Sequence, residues 1–157
     1  MNVPDNKKGF TIIEVVLVLA IAGLIFLMVF IALPALQRNQ RDTARRTDVS
    51  TVASAYTTYM NNNRGNAPAN GTISFVNSDG SDAAFKRYID NLSSNTTAII
   101  IGSSPSGGNV SVADGEIRIY KNSKCGTDEG TVATGTARQI ALFTKLESGD
   151  ATFCQTS

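Results

Sequence analysis

Histidine and tryptophan are absent from the 157 residues, and cysteine occurs only twice. Without histidine there is no imidazole for general acid–base work, no Ser-His-Asp triad, and none of the commonest transition-metal ligand. Two cysteines exclude a four-thiolate zinc site. A charge surplus is missing as well: 14 Lys and Arg stand against 13 Asp and Glu. Nucleic-acid-binding domains concentrate cations against phosphate, so the chain carries no strong nucleic-acid signal. Asp82, Asp90, Glu116 and Glu147 are the carboxylates that acid–base catalysis would need, yet nothing in their spacing brings any two together. No catalytic residue, metal or cofactor is expected, and the chain does not read as an enzyme.

Hydrophobic residues are plentiful but segregated. Of the 27 positions from Phe10 to Leu36, 23 are hydrophobic, while the other 130 positions hold 43. From Val15 to Leu36 there are 22 residues without a charge. At about 1.5 Å per residue, a helix of that length reaches about 33 Å and crosses a hydrocarbon core. A cleaved secretory signal has a shorter apolar core followed by a small-residue site, and neither feature is present. After the apolar block, Val49, Val52, Ala53, Tyr56 and Met60 recur at helical spacing, as do Ala55 and Tyr59. Pro34 is the one break signal between block and stripe. The simplest reading is a single helix of about 50 residues, apolar all round in its first half and amphipathic in its second.

Glu14 interrupts the apolar run. It is either an interfacial carboxylate solvated by headgroups or a functional charge, because an unpaired charge in hydrocarbon is costly. The residues around it, Lys7-Lys8-Gly9-Phe10-Thr11-Ile12-Ile13-Glu14, resemble the processing site of type IV prepilins and of type II secretion pseudopilins. In that family a short leader ends in Gly, Phe follows, and a Glu lies four positions further on. The resemblance covers the leader and the apolar half-helix, about 35 residues.

The resemblance implies cleavage between Gly9 and Phe10 by a prepilin peptidase, and N-methylation of the new Phe10 amine. It further implies an ion pair between Glu14 of one subunit and the Phe10 amine of another. Each buried charge then gains a partner that offsets its desolvation. Gly23 and Pro34 disfavour helix, by about 1 kcal/mol for Gly and more for Pro. In the family the segment between such a pair opens within filaments; the alternative is a kink in a continuous helix. Lys7 and Lys8 precede the span, whereas Arg38, Arg41, Arg45 and Arg46 follow it, which taken alone favours the opposite orientation. Processing at Gly9 requires a cytoplasmic N-terminus, and the motif outranks the count. The four arginines, interleaved with Asp42 and Asp48, read as a solvated helix face that can meet carboxylates of neighbouring subunits.

From Asn61 onward, Ser, Thr, Asn and Gly supply 43 of 97 residues, so a loop-rich head with a thin core is expected. A short helix is expected at residues 82–92, capped by Ser81, with Phe85, Tyr88, Ile89 and Leu92 on one face. Residues 98–101 read as a strand. Residues 110–113 and 116–121 read as a hairpin about Asp114-Gly115, and residues 138–146 and 151–155 as a second hairpin. Cys125 and Cys154, both outside the membrane, read as a disulfide, and a C-terminal disulfide loop is familiar among type IV pilins. Asn70, Asn91, Asn95 and Asn109 begin glycosylation-like triplets of the kind that chance supplies in such a composition. Gly107-Gly108 and Asp128-Glu129-Gly130 lack the spacing of a phosphate or calcium loop and read as turns.

The expected fold is α+β: a long N-terminal helix packed on a small antiparallel sheet head, lollipop-like as in type IV pilins. Residues 1–9 form the leader, 10–36 the transmembrane and polymerisation half-helix, 37–61 the amphipathic half, and 62–157 the head. What the resemblance implies is a self-assembling filament subunit serving adhesion, surface motility or DNA uptake. It would be held in the cytoplasmic membrane before assembly and be extracellular afterwards, or it would be a pseudopilin or minor pilin of a secretion or competence apparatus. Its implied partners are copies of itself, the peptidase, and an inner-membrane assembly platform with its ATPase. The sequence names no host or surface receptor.

Overall fold

The computed structural model describes residues 9–75, 83–89, 92–103 and 108–157. Residues 1–8 of the expected leader, Ser81, Asp82, Asp90, Asn91 and Gly107 lie outside the described residues. The chain divides into two compact units, one through Gln37 and the other Arg38–Ser157.

Helix α1, Ile12–Asn62, is 51 residues long and runs through Gly23 and Pro34 without interruption. Up to Leu36 its large apolar side chains are exposed. From Asp42 onward one stripe is buried, and Val49, Val52, Ala53 and Tyr56 form its apolar part. The last turn is closed by the Asn63 amide on the Tyr59 carbonyl at 2.9 Å and the Gly65 amide on the Met60 carbonyl at 2.7 Å. To make that closure Arg64 adopts φ +56° and Gly65 φ +83°. The left-handed region suits Gly but costs a residue with a Cβ about 1–2 kcal/mol.

The second unit is built on a five-stranded sheet made of β1 (Gly71–Ser74), β2 (Ala98–Ser103), β4 (Glu116–Lys121), β7 (Ile140–Lys145) and β8 (Thr152–Thr156), in the order β1-β2-β4-β7-β8. A smaller sheet pairs β3 (Gly108–Asn109), β6 (Thr131–Thr134) and β5 (Ser123–Cys125) in the order β3-β6-β5. Alternation of side chains along the strands sends Ile73, Ile99, Ile101, Ile117, Ile119, Ile140 and Leu142 into one cluster with the α1 stripe. Each such buried side chain contributes roughly 1.5–3 kcal/mol relative to exposure. Ala141 and Phe143 point the other way and meet Val110, Val112 and Val132. Strand β7 is therefore covered on both faces, which is why Ile140–Phe143 is a continuous apolar run rather than an alternating one.

The hairpin expected at 138–155 is present as β7–β8, with Phe143 opposite Cys154. The hairpin expected at 110–121 is not. The Asp114-Gly115 turn forms, with the Glu116 amide on the Ala113 carbonyl at 3.2 Å, but residues 110–113 do not pair with β4. Val110 and Val112 are instead spent covering Ala141 and Phe143, a face that hairpin pairing would have left bare. Strand β4 pairs β2 in parallel, Ala98 opposite Glu116, so the sheet is antiparallel except for that pair. Gly115, at φ +75°, lies so close to residue 97 that a Cβ would meet Thr97 Oγ1 at 2.8 Å. The expected helix at 82–92 is reduced to α2, Ala83–Lys86, with Phe85 and Ile89 buried in the α1 cluster.

Candidate functional site

The apolar half of α1 begins at a hydrogen-bonded cap. Thr11 precedes the first helical turn, and its amide and hydroxyl both donate to Glu14 Oε2, at 2.9 and 2.8 Å. The Glu14 amide in turn donates to Thr11 Oγ1 at 3.4 Å. This is a capping box, in which a threonine and a glutamate three residues later satisfy each other's unpaired helix-end groups. Thr11 was missed as a site residue, although the Thr-x-x-Glu spacing was legible in the sequence. A carboxylate at a helix N-terminus is also favoured by the helix dipole. Glu14 therefore enters the apolar segment already hydrogen-bonded.

The residue before the cap, Phe10, is 89% exposed, and nothing lies within 4 Å of a Cβ built on Gly9. The Gly9–Phe10 bond thus sits on open chain just outside the helix. Among the described residues, the exposed large hydrophobic side chains all fall between Phe10 and Leu36. That segment is long and apolar enough to cross a membrane.

Further along α1 the structure corrects the expectation of a solvated arginine face. Arg41 Nε donates to Glu147 Oε2 at 2.7 Å. Arg45, 5% exposed, sends Nη1 to Asp114 Oδ1 at 3.1 Å and to the Lys145 carbonyl at 2.6 Å. Its Nη2 reaches Glu147 Oε1 at 3.0 Å. Asp42 accepts the Glu147 and Ser148 amides at 2.7 and 3.0 Å, and also the Ser148 hydroxyl. Asp48 accepts the Ser93 amide at 2.9 Å and the Ser93 and Thr96 hydroxyls at 2.5 and 2.6 Å. The charges that looked like surface decoration are the polar attachment of α1 to the head. Burial works to raise the Asp42 carboxyl, but the Ser148 hydroxyl, the two amides and Arg45 outweigh it and hold the group below its ordinary value. Arg46 is committed differently, 4.8 Å from the centre of the Phe153 ring.

Cys125 and Cys154 form a disulfide that ties β5 to β8, joining the two sheets. The Cys125 amide also donates to Thr156 Oγ1 at 2.9 Å, so the edge strand β8 is held from outside. Among the candidate carboxylates, Glu116 bonds Arg118 and Glu147 bonds the α1 arginines. Asp128 and Glu129 sit in the turn before β6, where Glu129 Oε1 accepts the Thr152 amide at 3.1 Å. Among the described residues no three acidic or cysteine side chains converge as metal ligands.

The described residues thus combine a helix long and apolar enough to span a membrane with a disulfide-closed α+β unit. Residues 4–30 match the family model described as the prokaryotic N-terminal methylation motif. That motif, with its class III signal peptide, is typical of type IV pilins and pseudopilins, and its match over the N-terminal part of the chain supports a pilin-like or pseudopilin precursor. It implies processing by a prepilin peptidase and suits membrane anchoring before assembly. No curated protein and no solved structure matches the chain.

Proposed function

We propose that the mature chain is the structural, non-catalytic subunit of an extracellular type IV pilus filament. The carrying observation is the exposure of every large apolar side chain of the α1 segment that begins at the Thr11–Glu14 cap. Such a surface needs lipid or other copies of itself. Lipid tails are as apolar as leucine, so leaving the membrane for a helical bundle brings little hydrophobic gain. The direction must come from polar groups. Hydrolysis of the Gly9–Phe10 bond leaves a carboxylate on Gly9 and a free amine on Phe10, next to Thr11 in the sequence. Within the membrane the Glu14 carboxylate is supported by its own Thr11. In a staggered stack it exchanges that neutral support for the Phe10 amine of another copy, and the ion pair sets the axial register.

An inner-membrane assembly platform with its ATPase supplies the work of extraction. Opening of α1 between Gly23 and Pro34 belongs to the assembled state. The filament then serves adhesion, surface motility or DNA uptake. The same motif admits a second reading, a pseudopilin or minor pilin, in which filaments are short or the chain is scarce in them.

Electron microscopy of sheared surface material, with peptide identification, tests the proposal. Glu14→Val is expected to be processed normally, to stay in the membrane and to form no filaments. Gly9→Val is expected to block processing. Filaments of parental length and number from Glu14→Val would refute the register argument. Long filaments made mainly of this chain support the pilus subunit, and short or sparse ones the second reading.

A further inference from the structure

Edge-to-face ring contacts run in a chain from the core to the surface where α1 meets α2. Phe85 lies 6.0 Å from Tyr56 and 5.5 Å from Tyr59 between ring centres, and Tyr59 in turn lies 5.4 Å from Tyr88. Tyr56 and Phe85 are buried, whereas Tyr59 and Tyr88 are half-buried and open to water on one side. Among the described residues, Tyr59–Tyr88 is the one such pair in which both rings are phenols; Tyr56 meets Phe85, and Tyr120 meets Phe143. The crossing angle of 76° is ordinary for packed aromatics and by itself asks for no hydroxyl. The hydroxyl of Tyr88 is nonetheless held. Asn62, less than one turn beyond Tyr59 on α1, donates its side-chain amide to Tyr88 Oη at 3.4 Å. The phenol end of Tyr88 is thereby drawn to the turn of α1 that carries Tyr59.

We propose that Tyr59 and Tyr88 form an oxidative cross-linking site, which a peroxide-derived one-electron oxidant converts to dityrosine. Each phenol gives one electron to the oxidant and its hydroxyl proton to water. The unpaired electron of each phenoxyl radical is shared with the ring carbons beside its C–O bond, and one such carbon on each ring joins the other in a carbon–carbon bond. Those two carbons release their hydrogens as protons, and the two oxygens take protons back. Hydrogen peroxide accepts the two electrons and two protons and ends as two molecules of water. The Cys125–Cys154 bond marks the same unit as one that matures in an oxidising compartment. The new bond fastens the last turns of α1 to the turn after α2, and unlike the disulfide it is not opened by thiols. The site lies in the second unit and does not depend on filament formation.

Hydrogen peroxide with a haem peroxidase, added to an equal mixture of isotopically labelled and unlabelled full-length chain in detergent, tests the proposal. Dityrosine fluorescence is expected, and mass spectrometry should find the linked peptides to carry Tyr59 and Tyr88 of one chain. Partners held on one molecule react at an effective concentration far above that of a dilute protein. Tyr59→Phe and Tyr88→Phe keep the rings and their packing, and each should lower the yield about tenfold or more. Links that mainly join labelled to unlabelled chains overturn the assignment, as do links mainly through Tyr56 or Tyr120, or a yield that neither substitution lowers. Absence of dityrosine in the protein, under oxidation that couples free tyrosine in a parallel solution, also overturns it.

Discussion

Replacing Arg45 with Met keeps an unbranched apolar stem as far as the position of Nε but removes the guanidinium and its five N–H donors. The structure sets what that costs. The Lys145 carbonyl, now accepting from Arg45 at 2.6 Å, loses that donor, which costs about 1–3 kcal/mol. Glu147 loses one of its two arginines but keeps Arg41 at 2.7 Å, and at 23% exposure it retains some water, so about 1 kcal/mol is lost there. Asp114 is 72% exposed and contributes little when its partner goes. Against this, Met leaves no orphan comparable to the buried Arg45 Nε, which has no partner among the described residues. The sum is a loss of about 2–3 kcal/mol. For a folded unit of this size that lowers the thermal midpoint by roughly 10 °C. Denaturant unfolding of the full-length chain in detergent, followed by circular dichroism, measures it. Arg38→Ala on the exposed side of the same helix provides the reference near zero. A loss below about 0.5 kcal/mol for Arg45→Met, equal to that of Arg38→Ala, would refute the claim that the buried arginine anchors α1 to the head.

Two titrations bound the stability of the same unit. The Asp42 carboxyl is held below its ordinary value of 3.8, so its contribution is complete above that pH and is lost as pH falls through the folded value. Asp42→Asn should flatten the acid limb of the denaturant midpoint, and an unchanged limb would contradict the assignment. Burial pushes the Tyr56 hydroxyl up to about 12, so its contribution is complete below the ordinary value of 10 and is lost as pH rises towards 12. Tyr56→Phe should remove that alkaline loss, as read by unfolding at high pH. The Cys125–Cys154 bond closes a separation of 29 residues, and reduction should cost about 3–4 kcal/mol in the chain-entropy model. Hydrogen exchange should then show the amides of β8 opening first while β2 and β4 stay protected; uniform acceleration over the whole sheet would count against a local role.

Much of this protein is written in local pattern. The apolar run, the Lys-Lys-Gly-Phe-Thr leader junction and Glu14 are contiguous, so the membrane-capable helix and the processing motif were readable without a fold. The heptad-like stripe from Val49 to Met60 and the β7–β8 hairpin were readable for the same reason, since each depends on neighbours a few residues away. The Thr11–Glu14 cap is equally local, a Thr-x-x-Glu spacing at the start of the apolar run.

Tertiary structure alone decided where the charges go. Arg45 and Glu147 are separated by 102 positions, and Asp48 and Thr96 by 48, so no spacing rule could pair them. The same holds for Val110 and Val112, whose alternation fits a hairpin. They cover Ala141 and Phe143 because a sheet with an apolar second face must bury it. Periodicity reports which side chains must leave water. Which surface receives them, and which carboxylate receives each arginine, is settled only when distant segments compete for the same space.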